Sequence, residues 1–198
     1  MKQQVLSARQ DLRGNGTVVV VGDSSGGSHG IWVAIDTVSE GGLDWNRFDR
    51  ADAVSSCSGA YDYSKIDPNN PDNGDPDLVK QFREVAINYT NLARDDIPGL
   101  YALSPVALVT NSDVKPLQLL DGVWDSNLMV GETMPSGERV YMTNALINAG
   151  VTDFDSRHLN ILGHSFEYWR SRDTNDLPLQ RTVGQEVIDF LNAHIPPH

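Results

Sequence analysis

The 198-residue sequence predicts an α/β fold: an open, mainly parallel sheet flanked by helices, in one domain over 1–198. Strand-like and helix-like segments alternate along the chain, the pattern of parallel strands joined by covering helices. The first strand candidates are also continuous apolar runs without alternation, as expected of strands buried on both faces.

The elements follow in order. Residues 2–12 read as a helix with Val5, Leu6 and Leu12 on one face, stopped near Gly16. Thr17 to Val21 is a β-branched strand. Helical spacing resumes near Ser25, carries Ile31, Trp32, Ile35 and Val38, and ends at Gly41-Gly42. Ala51 to Cys57 is a second strand. Residues 61–104 form a lid-like insertion that opens on a polar Asp/Asn/Pro stretch and holds one helix from about Pro76 to Leu92. Leu78, Phe82, Val85 and Tyr89 mark its apolar face. A third strand fits Leu117 to Asp121, a helix Ser136 to Asn148, a fourth strand Arg157 to Leu162, and a last helix Val183 to Ala193.

Composition narrows the function. Twenty-seven acidic against 15 basic residues leave a net charge of −12, which disfavours nucleic acid and anionic membrane surfaces as partners. The single cysteine, Cys57, rules out a disulfide framework and a thiolate cluster for zinc. No apolar run is long enough for a transmembrane segment, and no apolar signal core follows Met1 to Gln4, so a cytoplasmic location is expected. The acidic stretch 67–77 lacks the spacing of a calcium loop and reads as turn chemistry.

The segment Gly22-Asp23-Ser24-Ser25-Gly26-Gly27 lies between a buried strand and a helix. That is Gly-x-Ser-x-Gly in the setting of a nucleophile elbow, where small residues permit a sharp turn that lifts the serine oxygen clear of the backbone. Gly22 and Gly26 are the elbow glycines, and the Ser25 N–H at the helix start is an expected oxyanion donor. A serine nucleophile needs a base and an orienting acid. Of the five histidines, His164 follows the fourth strand, at the carboxyl edge where α/β sheets gather functional groups. His29 is expected to pack or to bind a backbone group, and His194 and His198 to be solvated. Asp125 lies just past the third strand and is the candidate acid, with Asp121 inside the strand and Asp113 before it as the other choices. Trp124, Phe166, Tyr168 and Trp169 flank the proposed acid and base, as pocket lining or as packing.

These motifs in this order resemble the carboxyl half of an α/β-hydrolase, close to the esterases with a Gly-Asp-Ser-x-Gly-Gly elbow. The resemblance continues through Ser58-Gly59-Ala60-Tyr61-Asp62, Ser104-Pro105-Val106, Leu119 to Asp125, and Gly163-His164-Ser165-Phe166. It implies a Ser-Asp-His triad of Ser24, Asp125 and His164, in the chain order that family uses, acting on small-molecule esters without a cofactor or metal. Only 23 residues precede Ser24, and no His-Gly-Gly-Gly segment occurs, so the fold is N-terminally shortened and the second oxyanion donor has no source. The family's neighbours of the elbow strand are missing too. Strand 17–21 is therefore expected to be covered by a second copy (a homo-oligomer), by a partner chain, or by rearranged N-terminal residues.

Two alternatives stay open. Asp155-Ser-Arg-His158 has the spacing used with Gly-Asp-Ser in GDSL (SGNH) hydrolases, which would make Asp155 and His158 the partners of Ser24. A hydrolase-like domain without an oxyanion loop could also serve as a non-catalytic interaction module or as half of a split protein.

Overall fold

The computed structural model describes residues 2–11, 13–35, 50–67, 69, 76–122, 137–161, 164–172 and 181–195. Four parallel strands lie side by side in chain order: β1 (Val19–Asp23), β2 (Ala53–Cys57), β3 (Leu117–Gly122) and β4 (Phe154–Leu159). Helices α1 (Lys2–Arg9), α2 (Ser25–Ala34), α3 (Pro76–Thr90), α4 (Ile97–Ala102), α5 (Pro105–Leu108), α6 (Gly137–Asn148) and α7 (Val183–His194) complete the described elements. The predicted α/β class is what the chain adopts.

β2 and β3 are buried along their whole length, so their alternate residues feed two cores. Val54, Leu117 and Leu119 face Ile31 and Val33 of α2 and Met142 and Leu146 of α6. Ala53, Cys57 and Leu120 face Val183, Val187 and Leu191 of α7. Burying each such side chain contributes about 2 kcal/mol, and the two-sided demand explains why these strands read as apolar runs. Polar groups inside are paired: Ser55 Oγ donates to Gln118 Oε1 at 2.9 Å, and Gln118 Nε2 donates to Asp155 Oδ2 at 3.1 Å, across three strands.

Several boundaries differ from the sequence expectation. β1 runs two residues later at both ends, because the Val18 N–H is taken by the Asp52 carboxylate at 2.8 Å while the ladder with β2 continues to Asp23. β4 begins at Phe154 rather than Arg157, in register with Leu117, so His158 sits near its end instead of its start. α2 ends at Ala34, with Ile35 extended, and the residues expected to continue it to Gly41 lie outside the described set. Residues 61–104 hold α4 besides α3, with α5 directly after them, and have a small core of their own: Tyr63, Ile66, Val79, Ala86 and Leu100. Most of the acidic stretch 67–77 also lies outside the described residues.

Among the described residues β1 pairs only with β2, and Val19 is 36% exposed. The N-terminal segment does not add a strand there. α1 buries Val5 in the core, and Arg9 donates to the Asp52 carboxylate at 2.9 Å and to Gly16 O at 2.6 Å, which pins the helix at the amino end of the sheet.

Candidate active site

β1 ends at Asp23, Ser24 alone makes the turn, and α2 begins at Ser25. Ser24 is held at φ 49°, ψ −120°, backbone that a residue with a Cβ adopts at a cost of about 1–3 kcal/mol. Its N–H donates to Cys57 O at 2.8 Å, tying the turn to the end of β2. Its hydroxyl does not cap the helix it precedes, so the oxygen is not used to hold the fold together. The strand-to-helix geometry expected from the motif is present.

The glycines show why the turn is possible. A Cβ on Gly22 would lie 2.1 Å from the Gly26 carbonyl oxygen, and one on Gly27 would lie 2.8 Å from Ser56 Oγ and 2.9 Å from Cys57 O. Gly26 is different: its nearest neighbour would be Asp23 Oδ1 at 3.7 Å, ordinary contact. Close packing therefore requires glycine at 22 and 27, while a Cβ at Gly26 would meet only ordinary contact. The constraint is twofold: β1 at Gly22 lies against the Gly26 backbone of α2, and α2 at Gly27 lies against the end of β2.

Ser24 opens on a cavity of about 300 Å³. His164 lines it as well, so the structure brings these two sequence candidates to one cavity. The His164 N–H donates to Glu167 Oε2 at 3.0 Å, and the Glu167 N–H returns a bond to His164 O at 3.2 Å, which fixes the backbone that carries the imidazole. Ser25, in the first turn of α2 where N–H groups have no intrahelical acceptor, is also on the wall. Asp125 lies outside the described residues, as does Trp124. Trp169 packs against Gly184 of α7, and Phe166, 44% exposed, meets its ring edge to face at 5.4 Å.

The opposite wall comes from the insertion. Phe82, Val85, Ala86 and Tyr89 of α3, with Ile66 and Tyr63, present an apolar surface toward the serine. The Tyr89 hydroxyl bonds His29 Nε2, and the two rings meet edge to face at 5.0 Å. His29 thus packs against and bonds a side chain of α3 rather than a backbone group, linking α3 to α2.

Two acidic residues line the wall: Asp121, one of the other choices of acid, and Glu138, which the sequence pattern does not single out. Asp121 is paired with Arg139 Nε and His158 Nδ1, each at 3.0 Å. Burial outweighs these partners and holds its carboxyl above the usual range. Glu138, in the first turn of α6, accepts the N–H groups of Tyr61 and Asp62 at 2.6 and 2.7 Å. Burial pushes its carboxyl up to about 7, against those two bonds.

Asp155 and His158 are not brought together. They differ by an odd number of positions on β4 and so face opposite sides of the sheet. His158 pairs with Asp121, whereas Asp155 accepts from Gln118 and lies by Arg157.

No protein-family model and no curated protein matches this sequence. Among solved structures, the fold is similar to a "Truncated form of carbohydrate esterase from gut microbiota", with a TM-score of 0.50 and 21% identity. The match covers 79% of this chain and 57% of that one, so the chain spans little over half of the neighbour's length. The class this supports is an α/β fold like that of an esterase. Among the described residues, no helix is long and apolar enough to cross a membrane.

Proposed function

We propose that this protein is a serine ester hydrolase of α/β-hydrolase type. The observation that carries the assignment is a strained serine in a strand-to-helix turn, opening on a cavity that a histidine shares. Ser24 Oγ attacks the ester carbonyl carbon while His164 takes its proton. The oxyanion develops beside the Ser25 N–H at the start of α2, where the helix end favours negative charge. Collapse expels the alcohol with the proton from His164, and a water activated by the same imidazole releases the acid. Asp125 is the proposed group that orients His164. The apolar wall of α3 suits an acyl chain, and the neighbour's name suggests carbohydrate esters as the first substrates to try.

A fluorophosphonate probe is expected to label Ser24, and p-nitrophenyl esters to turn over. His164→Ala is expected to reduce kcat by roughly 10⁴-fold or more, with His158→Ala retaining most activity. Loss confined to His158→Ala would transfer the base to His158, with Asp121 as its paired carboxylate. Neither labelling nor turnover in a folded sample would favour the interaction module.

The edge of β1 carries a second expectation. An unpaired, apolar edge is a template for pairing, and two copies related by a two-fold axis satisfy each other's edges. Light scattering is expected to give a dimer for the parent protein and a monomer for Val19→Lys. A monomeric parent would leave the edge to a different partner chain or to none.

A further inference from the structure

The hydrolase mechanism has no use for Glu138, yet this residue lines the same cavity as Ser24 and His164 and is only 8% exposed. Its Oε2 takes both the Tyr61 and the Asp62 N–H, from a segment more than seventy positions earlier in the chain. That segment supplies cavity wall: Ala60, Tyr61 and Tyr63 all line it. One other tie is charged, the Arg83 guanidinium donating to Tyr63 O at 2.9 Å, and the rest are neutral. Val106 N–H donates to Tyr61 O at 3.0 Å, Tyr63 N–H donates to Ser104 Oγ at 2.8 Å, and Ala60 N–H donates to Ser28 Oγ at 2.9 Å. Of these anchors Glu138 is the one whose charge changes near neutral pH, since the guanidinium stays protonated throughout.

We propose that Glu138 is a positioning residue of this site, whose carboxylate holds the Tyr61–Tyr63 wall so that substrate binding depends on its ionisation. The inference rests on the hydrolase reading given above. Charge-assisted bonds to N–H groups are roughly twice as strong as neutral ones, so protonation loosens the wall. The groups around Glu138 are consistent with titration near neutrality. From the wall, Asp62 adds like charge, which raises the carboxyl further, and burial keeps the Tyr61 and Tyr63 phenols neutral. On α6 itself the Tyr141 phenol is also raised, and the Arg139 guanidinium is turned away to Asp121 and Ser156. From β3, Asp121 lines the same cavity but is held by Arg139 and His158; α5 contributes no charged residue.

Two measurements test this. In the unsubstituted protein, the ¹H–¹⁵N resonances of the Tyr61 and Asp62 amides are expected to titrate with a midpoint near pH 7, a readout independent of activity. In Glu138→Gln, whose amide oxygen still accepts but cannot ionise, the same resonances are expected to stay flat. KM for a p-nitrophenyl ester is expected to rise roughly fivefold between pH 8 and pH 6 in the parent, and to sit near the higher value at both pH values in the variant. Amides that do not titrate, or a KM profile identical in the two proteins, would overturn the proposal while Ser24 labelling left the hydrolase assignment standing. An unlabelled Ser24 would instead overturn that assignment, and this proposal with it.

Discussion

Gly22→Ala is expected to destabilise the protein by about 3 kcal/mol, the upper part of the range for overpacking, and to abolish ester turnover. For a chain of this size that lowers Tm by roughly 6–12 °C. The added Cβ would meet the Gly26 carbonyl oxygen at 2.1 Å and the Gly26 carbonyl carbon at 2.5 Å. These are backbone atoms of α2, so relief requires the helix to move, and the helix buries Ile31, Val33 and Ala34 against the sheet. Gly27→Ala is expected to behave alike, since its Cβ would press on Ser56 Oγ and the Cys57 carbonyl oxygen. Gly26→Ala is the contrast: nothing approaches its Cβ closer than 3.7 Å, and alanine is favoured over glycine in a helix by about 1 kcal/mol. It is expected to leave stability unchanged or slightly raised.

Ser24→Gly completes the test with the opposite pairing of effects. Glycine adopts φ 49°, ψ −120° without the clash that serine's Cβ brings, so the variant is expected to be at least as stable as the parent while losing activity. Thermal unfolding and p-nitrophenyl ester turnover on these four variants check the whole set. A gain in stability with a loss of turnover is the trade-off expected if Ser24 is the proposed nucleophile. If Gly22→Ala melted with the parent, the close approach of β1 and α2 would not be the constraint on this turn.

How much of this was legible follows from the physics of each element. β2 announces itself because a strand buried on both faces is mainly apolar, whereas β1 is an apolar run in which Gly22 alone is buried; the turn after β1 is marked by glycines that its close contacts demand. β4 carries no such signal: between Phe154 and Leu159 it reads Asp-Ser-Arg-His, since those side chains bond Gln118, Asp121, Thr143 and Glu186 instead of packing in a core. Its start was therefore misplaced by three residues. α4 and α5 have visible start signals, Asp96 capping the Gly99 N–H and Pro105 opening the second, but six and four residues are too few for a period to show. His164 could be reached by its place after a strand. Glu138 could not, because one glutamate in a helix's first turn is ordinary, and its partner amides are distant in sequence. The buried role of Asp121 was equally hidden, as its two partners come from α6 and β4.

That aspartate sets the second large effect. Arg139→Ala is expected to cost about 3 kcal/mol at pH 8, because it leaves a buried carboxylate short of its main cationic partner. The side chains of Arg139 and Asp121 are only 13% and 8% exposed, and Arg139 also donates to Ser156 Oγ at 2.7 Å. His158 keeps one bond to Asp121, which holds the loss toward the lower end of the range for broken buried pairs. The pH dependence has a definite sign. Burial already holds the Asp121 carboxyl above its ordinary value, and losing the guanidinium raises it further. A carboxyl raised in the folded state contributes stability that is present below its unfolded value, near 3.9, and is lost as pH rises through the folded value. The deficit of Arg139→Ala relative to the parent is therefore expected to widen from pH 5 to pH 8, read as a growing gap between urea midpoints. Combining it with Asp121→Asn removes the charge that needed a partner, and the gap is expected to become independent of pH. A deficit in the single variant that is already equal at both pH values would assign the loss to the packed stem of Arg139 rather than to its charge.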